Sequence, residues 1–336
     1  MKIGIIFEIK DKPSGGGNQF LKALKKVFEE KGVYAKNIED VDVIIGNSYQ
    51  FVEQVVAIKR SHPTIVFVHR IDGPIRLYNR ISDRRDFVTN IVNEIAADGT
   101  VFQSEFSRQE NFRLGLEKNC YETLIYNVPN ETIFYRDKNS NIEDEKKIKL
   151  IASSWSDNMN KGFETYRYLD EHLDFDKYQM TFVGNSPIKF KNIKMLSALP
   201  SEKLAEKLRQ SDIYISASKK ESCSNAILEA MNCGLPVVIR NDGGNPEIIN
   251  GAGCLFDSED DIIDKIHYVT DHYNEFQNNI KVVPFTKRAD EYIDFCQRIL
   301  DDVKSGRYIP KKISFLDMVR IKMVVLRWKF ADKFER

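Results

Sequence analysis

Short apolar runs alternate with helical segments twice along the chain, and this double series constrains the fold more than any other feature. Five runs in the first half have the length and composition of buried strands. They cover 3–8, 41–46, 64–69, 100–103 and 123–126. Six more follow at 150–153, 179–184, 193–196, 213–217, 236–240 and 254–256. Helical stretches such as 19–32 and 104–116 lie between the runs. Strands that alternate with helices in this way indicate parallel sheets with helices on both faces.

A highly charged stretch, 135–149, separates the two series and has the composition of a linker. We therefore predict an α/β chain of two doubly wound, Rossmann-like domains that face each other across a cleft. The predicted domains are an N-terminal domain at 1–140 and a second, ligand-binding domain at 141–290. Residues 291–336 would form C-terminal helices that cross back. A chain of 336 residues suits two domains of about 150 residues each.

Charge and cysteine content exclude several classes of protein. The 50 basic and 50 acidic residues balance, so no net charge favours binding to nucleic acid. The five cysteines form no C-x-x-C pair, so we expect no zinc site, no disulfide framework and a reducing cytoplasm. The N-terminal apolar run is too short for a signal peptide, and no run approaches the roughly 18 apolar residues of a spanning helix. We expect a cytoplasmic protein, soluble or peripheral at a membrane, without a metal or other cofactor.

The stretch "ESCSNAILEAMNCGLPVVIRNDGGNPEII" (221–249) is the most informative motif. A strand at 212–218 leads through small polar residues to a helix at 225–233, which Gly234 ends. The amides of such a helix N-terminus suit a phosphate group. Glu221 beside a phosphate would be repelled unless it bound another part of the same ligand, and sugar hydroxyls suit an ionised carboxylate. The alternative is an ordinary strand–helix unit with two solvated glutamates.

Three other motifs follow predicted strands, at the edge where such sheets bind ligands. In "SGGGNQ" (14–19), Gly16 and Gly17 would let backbone approach a ligand closely, or simply form a tight turn. "HRIDGP" (69–74) would place His69 at a strand end, where a functional role competes with a structural one. "SSWSDNMNKGFE" (153–164) carries Lys161, which would reach a diphosphate or remain solvated.

A further helix is expected within "NDGGNPEII" (241–249), with Asn245 as its cap and Pro246 at its first position.

Glu221 and Glu229, followed by "EAMNCGLPVV" and "GGNPEII", resemble the signature of glycosyltransferase family 4, retaining sugar transferases with the GT-B fold, also called glycosyl transferases group 1. The segments "VFQSEFSRQ" (101–109), "LIYNVPNETIF" (124–134) and "WSDNMNKGF" (155–163) are similar to further segments of the family. The resemblance covers roughly residues 1–300.

This resemblance implies roles for the candidate residues. Glu221 would bind hydroxyls of the donor sugar, Glu229 the two ribose hydroxyls, and Lys161 the diphosphate, as the one basic residue assigned to it. His69 would touch the transferred sugar. The other donor-binding positions implied are Ser222, Cys223, Ser224, Asn225, Ser156, Gly184, Gly16 and Gly17. Two positions depart from the family: Ser156 replaces the usual arginine, and "ESCS" replaces the usual "EGFG".

The activity implied is retaining, metal-independent transfer of a sugar from a nucleoside-diphosphate sugar to a glycan or lipid-linked acceptor, in the synthesis of a bacterial surface polysaccharide. Glu221 would orient the sugar rather than attack it. Two alternatives share the architecture: a nucleotide-binding partner module without activity, and a nucleotide-sugar epimerase. Release of nucleoside diphosphate from the donor distinguishes an enzyme of the predicted kind from the partner module.

The C-terminal stretch 311–336 is strongly basic, with eight Lys or Arg and three acids, a local charge of 8 − 3 = +5. On a helix, one apolar side would comprise Phe315, Val319, Met323, Leu326 and Phe330. The opposite side would comprise Ile321, Val324, Val325 and Trp328. Basic residues would lie in the two seams between these sides. Such a helix would pack on its own domain with one side and meet the inner face of a membrane or a partner with the other. The alternative is a crossover helix buried entirely between domains.

Overall fold

The computed structural model describes residues 1–10, 16–137 and 147–334. Part of the predicted linker, 138–146, and Ser14 and Gly15 of the glycine motif lie outside the described residues. Within the described part, the chain forms two compact units. One combines 1–10, 17–126 and 286–334, and the other contains 127–137 and 147–285. The domain limit predicted at 140 falls outside the described residues, and the predicted domain limits stay predictions.

A parallel five-stranded sheet forms the centre of the first unit. Its strands are β1 (Ile3–Ile6), β2 (Val43–Asn47), β3 (Val66–Ile71), β4 (Gly99–Phe102) and β5 (Tyr121–Leu124). The helices between or after them are α1 (Gly16–Glu30), α2 (Val52–Ser61), α3 (Ile75–Tyr78), α4 (Arg85–Ala96) and α5 (Glu105–Arg113). The strands neighbour one another in chain order, and all pairs are parallel. Every residue of β2 and β3 is buried, as expected where helices cover both faces of a sheet.

The reversal that makes this first sheet doubly wound lies at β1. Ile3 pairs in parallel with Val43 of β2 and also bridges to Tyr34, on the other edge of β1. The amide of Ile3 donates to the carbonyl of Val33 over 2.7 Å. The chain thus pairs first with one edge of β1 and then with the other. The switch point, where such sheets bind ligands, is therefore the carboxyl end of β1.

A parallel six-stranded sheet forms the second unit. Its strands are β6 (Ile148–Ser154), β7 (Tyr178–Gly184), β8 (Lys194–Leu196), β9 (Ile213–Ser216), β10 (Val237–Arg240) and β11 (Gly253–Phe256). Its helices are α6 (Phe163–His172), α7 (Ser201–Arg209), α8 (Asn225–Asn232), α9 (Asn245–Ile249), α10 (Glu259–Asp271) and α11 (Tyr273–Asn278). The strand order β11-β10-β9-β6-β7-β8 reverses direction at β6, which pairs with both β7 and β9. The carboxyl ends of β6 and β9 are therefore neighbours at this switch point.

The predicted fold class is confirmed: two parallel sheets, each with the alternation of strands and helices expected for a Rossmann-like domain. All strands found in the described ranges correspond to predicted ones, with shifted ends. One predicted cap is wrong. Gly244, not Asn245, occupies the N-cap of α9. The side chain of Asn245 is buried and donates to the carbonyls of Ser218 and Arg240, both at 3.2 Å, so it joins the ends of β9 and β10 instead.

Two C-terminal helices, α12 (Phe285–Lys304) and α13 (Phe315–Phe334), complete the first unit. From α12, Tyr292 packs against Phe20 of α1, with ring centroids 6.0 Å apart. From α13, Ile321 and Val325 join the core that α2 and α4 form with the sheet. Chain segments from both ends thus share one hydrophobic core. In the described ranges, no helix has both the length and the apolar content needed to span a membrane.

A buried carboxylate attaches this C-terminal segment to the sheet. Asp98, just before β4, is fully buried and accepts hydrogen bonds from Lys59 Nζ and the amide of Phe67, both at 2.8 Å. It also accepts from the Tyr308 hydroxyl at 3.0 Å and the amide of Lys311 at 2.7 Å. Asp98 therefore joins α2, β3 and the segment that leads into α13.

Replacing this carboxylate is expected to destabilise the first unit strongly. Asp98→Asn keeps the size of the side chain but leaves the ammonium of Lys59 buried without a counter-charge, which costs about 3–5 kcal/mol in comparable pairs. Urea unfolding should show this loss of unfolding free energy. Adding Lys59→Met to Asp98→Asn should recover part of it, because the unpaired charge is then absent. Asp271→Asn, at an exposed position, is the matched control, and a loss no larger than the control's would contradict the assignment.

Candidate functional site

The loops that follow β6 and β9 pack directly against each other. Gly162, at the end of the first loop, has a φ of 79°, and a Cβ there would lie 2.2 Å from the carbonyl oxygen of Ala217. The amide of Lys219 donates to the carbonyl of Asn160 over 2.7 Å. Since any side chain at 162 would separate the loops, this glycine permits their close approach.

This approach brings Lys161 and Glu221 together. Lys161 ends a short 3₁₀ turn, Met159–Lys161, and its Nζ donates to Oε1 of Glu221. The two side chains are 29% and 24% exposed, so both remain accessible from solvent. The sequence predicted that both residues serve one site, and the structure places their charged groups in direct contact.

A third loop fixes the backbone of Glu221, and the sequence analysis did not assign it this role. The amide of Gly244 donates to the carbonyl of Glu221 over 2.7 Å. Gly243, with a φ of 66°, packs so closely that a Cβ would lie 2.5 Å from the same oxygen. Asp242 accepts from the amide of Lys220 at 2.8 Å. The Asp-Gly-Gly run after β10 was the available signal, because these residues form tight loops with positive φ.

The N-terminus of α8 opens beside Glu221. Ser224 occupies the N-cap, and its side chain makes no capping hydrogen bond. Among the four candidate donor-binding residues here, Ser222 and Asn225 are partly exposed, whereas Cys223 and Ser224 are buried. The first amides of a helix have no partner within the helix and carry partial positive charge. The start of α8 therefore combines polar side chains with a local positive potential.

Glu229 lies in the second turn of α8 and is partly exposed. Its surroundings are nevertheless dense enough that burial raises the pKa of this carboxyl to about 8, and no hydrogen bond from the described residues offsets the shift. An ionised carboxylate without donors is costly in such surroundings. The position thus favours a ligand that donates hydrogen bonds to it.

Two other candidates in the second unit have structural contacts. Gly184 ends β7 with a φ of 127°, and a Cβ there would lie 1.8 Å from the carbonyl oxygen of Ser154. Ser156 lies in the turn after β6, where its Oγ accepts from the amide of Asn158 at 3.1 Å.

Two lysines in the β9 loop, which the sequence analysis did not single out, directly precede Glu221, and each faces an acid. Lys219 lies 3.9 Å from a carboxylate oxygen of Glu164, and Lys220 lies 3.2 Å from one of Asp242.

His69 has contacts that differ from the prediction. It was expected at the end of its strand, but β3 continues to Ile71. The ring is fully buried, its Nε2 donates to the carbonyl of Ser48 at 2.8 Å, and its Nδ1 lies 3.1 Å from Oδ1 of Asn93. Burial lowers its pKa to about 4, so the ring is neutral near pH 7. The predicted sugar contact of His69 stays a prediction.

Asp72, three residues beyond His69, directly follows the carboxyl end of β3. Its carboxylate accepts from Arg70 at 2.8 Å, Asn47 at 2.9 Å and Ser48 at 3.2 Å, and also from Gln103. These residues follow or end β2, β3 and β4, so Asp72 joins three strand ends.

In the described part of the glycine motif, residues from Gly17 onward belong to the first unit. Gly16 begins α1, and Gly17 lies in its first turn. A Cβ on Gly17 would lie 4.0 Å from Nδ2 of Asn47. Across the described ranges, no three His, Cys, Asp or Glu side chains form a group that would hold a metal ion.

Residues 164–272 match the family model described as "Glycosyl transferases group 1". Over 76 residues, the chain is 30% identical to the phosphatidylinositol N-acetylglucosaminyltransferase GPI3 subunit of Saccharomyces cerevisiae, a match that covers 23% of this chain and 17% of that protein. It is 27% identical over 134 residues to the sulfoquinovosyl transferase SQD2 of Arabidopsis thaliana, covering 36% and 26% of the two chains. The chain thus matches only a minor part of each relative's length. The predicted resemblance to group 1 glycosyltransferases is confirmed.

Solved structures share the fold over nearly the whole chain. The sucrose-phosphate synthase of Thermosynechococcus elongatus aligns with a TM-score of 0.67 and 13% identity, covering 90% of this chain and 98% of that one. HepE of Anabaena in complex with UDP-glucose aligns with a TM-score of 0.64 and 14% identity, covering 91% and 100%. At these identities the likeness concerns the fold alone, and it confirms the predicted GT-B fold.

The raised pKa of Glu229 predicts a pH dependence of stability. Between the ordinary value of 4.5 and about 8, the native state holds a proton that the unfolded chain has lost. The unfolding free energy should therefore fall as pH rises through this window, by roughly 1.4 kcal/mol per pH unit from this group. Urea titrations at several pH values should show a weaker decline for Glu229→Gln than for the wild type. The exposed control Glu202→Gln should keep the wild-type slope, and equal slopes for all three proteins would refute the shift.

Proposed function

We propose that this chain is a glycosyltransferase that moves a sugar from a nucleoside-diphosphate sugar to an acceptor hydroxyl. The observation that carries the proposal is the contact between Lys161 and Glu221 at the switch point of the second sheet, beside the start of α8. A diphosphate and a sugar are adjacent in such a donor, and they call for an adjacent cation and hydrogen-bond acceptor. The family match over 164–272 supports the same activity.

Each group in this site suits one part of the donor. Lys161 and the first amides of α8 would hold the diphosphate. Glu221 would accept hydrogen bonds from the sugar hydroxyls, with Ser222 and Asn225 at the same edge. Glu229 would accept from the two ribose hydroxyls, which would supply the donors that its carboxylate otherwise lacks and so stabilise its ionised form.

The chemistry follows from charge development in the transition state. As the bond between the anomeric carbon and the diphosphate oxygen breaks, negative charge grows on the leaving group, and Lys161 with the α8 amides stabilises it. The acceptor hydroxyl attacks from the same face and gives its proton to the leaving phosphate, so the anomeric configuration is retained. Glu221 orients the sugar and does not form a covalent bond with it, unlike the nucleophile of a retaining glycosidase. Fixed positive charge from the protein takes the place of a metal ion.

For the acceptor, we propose a glycan or lipid-linked glycan of a bacterial surface polysaccharide, reached from the cytoplasmic side. A lipopolysaccharide outer core galactosyltransferase, WaaB, shares the fold, with a TM-score of 0.58 and 12% identity. A lipid-linked acceptor would bring the protein to a membrane surface, and helix α13 would provide peripheral contact.

The test of the activity is release of nucleoside diphosphate from a panel of nucleotide sugars, measured with EDTA present. We expect release from at least one donor, and the chelator should not reduce it. Lys161→Ala should lower kcat/KM by roughly 10²–10³-fold, the scale on which one preorganised charge acts, and Lys161→Arg should recover part of it. Lys203→Ala, which removes a lysine paired with Glu206 on α7, is the matched control and should keep full activity.

The outcomes separate the proposal from its rivals. Donor binding without any release would identify a nucleotide-binding module, and conversion of the donor sugar without release would identify an epimerase. Loss of activity in EDTA that Mg²⁺ restores would refute metal independence. Because Lys161→Ala also leaves Glu221 without its cation, the double variant with Glu221→Gln is needed to separate the two contributions.

The assignment of the two glutamates predicts different effects on nucleotide binding. Glu229→Ala should weaken the binding of free nucleoside diphosphate by calorimetry, since the ribose is present in that ligand. Glu221→Ala should leave this affinity nearly unchanged and lower turnover, since the sugar that it orients is absent. Equal affinities for Glu229→Ala and the wild type would remove the ribose assignment.

A further inference from the structure

Helix α13 has two apolar faces, and one of them packs on the first unit. Ile321 and Val325 are buried in the core with α2 and α4. Trp328 meets Tyr49 edge to face, with ring centroids 5.3 Å apart. Arg320 pairs with Glu94 of α4 at 2.9 Å and Lys329 with Glu53 of α2 at 2.8 Å. The helix is therefore fixed in rotation about its own axis.

The opposite face is apolar and exposed, which rules out complete burial of the helix. Its side chains recur every three or four positions and so form one stripe. The large exposed members are Phe315 at 66%, Met323 at 48%, Leu326 at 65% and Phe330 at 68%, with Leu316 beside them at 73%. The sequence predicted both faces, and the structure decides which one packs.

Basic residues border this stripe on both sides. At 100° per residue, Arg320 and Arg327 follow one border, and Lys322, Lys329 and Lys333 follow the other. Lys322, Arg327 and Lys333 are exposed, and they form no ion pair with an acid in the described ranges. Long basic side chains in these positions extend their charged ends along the rim of the apolar stripe.

A loop from the first unit extends the same surface. Arg80 pairs with Asp332 of α13 at 3.5 Å, and Arg84 lines a groove with Leu326 and Phe330. Between these two arginines, Ile81 is 90% exposed. The surface therefore consists of an apolar ridge with cations around it, drawn from two separate chain segments. Lys311 does not contribute, because its ammonium donates to the carbonyl of Glu94 at 2.9 Å within the unit.

We propose that α13, together with residues 80–84, docks on an anionic lipid bilayer, with the helix lying in the plane of the interface. An anionic bilayer is complementary to this surface in two ways. The rows of Lys and Arg match its phosphate groups, and the apolar stripe between them matches the acyl chains beneath. The lipid binding itself is argued from this surface alone. Its biological role rests on the proposed function, because a membrane-docked transferase would meet a lipid-linked acceptor there.

The experiment is co-sedimentation of the full chain with vesicles, in the absence of donor and acceptor. Vesicles of phosphatidylcholine with about one third phosphatidylglycerol should bind the protein, vesicles of phosphatidylcholine alone should bind it far more weakly, and salt should reduce the binding. Leu326→Asp should lower the partition coefficient roughly tenfold or more, since a buried apolar contact is replaced by a charge. Lys322→Gln and Arg327→Gln should each lower it roughly fivefold.

Matched controls lie on the second unit. Val282→Asp replaces an apolar residue that is 48% exposed, and Lys203→Gln removes an exposed lysine. Neither should change vesicle binding. All altered positions are exposed, and unchanged melting temperatures and nucleoside-diphosphate affinity would show that each variant is folded.

Three results would overturn the proposal: no binding to anionic vesicles, equal binding to neutral ones, or binding that Leu326→Asp leaves intact. A dimer in sedimentation that Leu326→Asp dissociates, without vesicle binding, would instead identify this face as an interface with a second copy. Because nucleotide release is measured separately, failure of lipid binding leaves the transferase proposal standing, and the converse also holds.

Discussion

The buried carboxylate of Asp98 is the interaction on which the arrangement of the first unit depends. A charge at this depth is tolerated only because the donors around it satisfy its oxygens, and two of those donors come from the end of the chain. Burial lowers the pKa of Lys59, its partner, although Asp98 acts in the opposite direction. The ion pair thus contributes less to net stability than to the specificity of packing. Its carboxylate binds the segment before α13 at Tyr308 and Lys311, which sets the position of that segment on the sheet. From that position follow the contacts of α13 with α2 and α4, and hence which apolar face remains outside.

In the second unit, the corresponding constraint is steric. The candidate site depends on loops that approach one another more closely than side chains allow, at Gly162 against Ala217 and at Gly243 against Glu221. Parallel strands bring the loops to one edge of the sheet, and the glycines let them meet there. The backbone at Lys161 and Glu221 is then fixed by contacts between the loops, so both side chains start from set positions.

Much of this architecture was predictable, because burial on both faces makes each strand a continuous apolar run. The resemblance to group 1 glycosyltransferases implied that Lys161 and Glu221 would serve one site, and the strand pattern placed both after strands of one sheet. Their direct contact was not predictable, because it depends on which strands are neighbours. The bridge at Tyr34 was missed because it is a single pair with no apolar run of its own. The sequence counted Lys311 among the basic residues of the C-terminal surface, yet its ammonium binds the carbonyl of Glu94 within the first unit.

Asn245 and His69 show a different limit. Both residue types have well-known local roles, at helix caps and at functional sites, and both side chains here donate to carbonyl groups in the interior, contacts that the sequence did not predict. Sequence patterns report local preference, whereas the partners of a buried polar side chain are set by the whole fold. No feature of the sequence around either residue predicts these interior contacts.

The contact between Lys161 and Glu221 has a consequence for selectivity. Because each group is already neutralised by the other, a small anion gains little by binding the ammonium, since it would strand the carboxylate. If the donor occupies this site as proposed, it replaces both halves of the pair at once, with a phosphate for one and hydroxyls for the other. The nucleoside diphosphate product has the phosphate but not the sugar hydroxyls. Re-formation of the ion pair between Lys161 and Glu221 would therefore compete with bound product and favour its release. The same contact would thus select for ligands that replace both groups of the pair, and it would promote release of the nucleotide product.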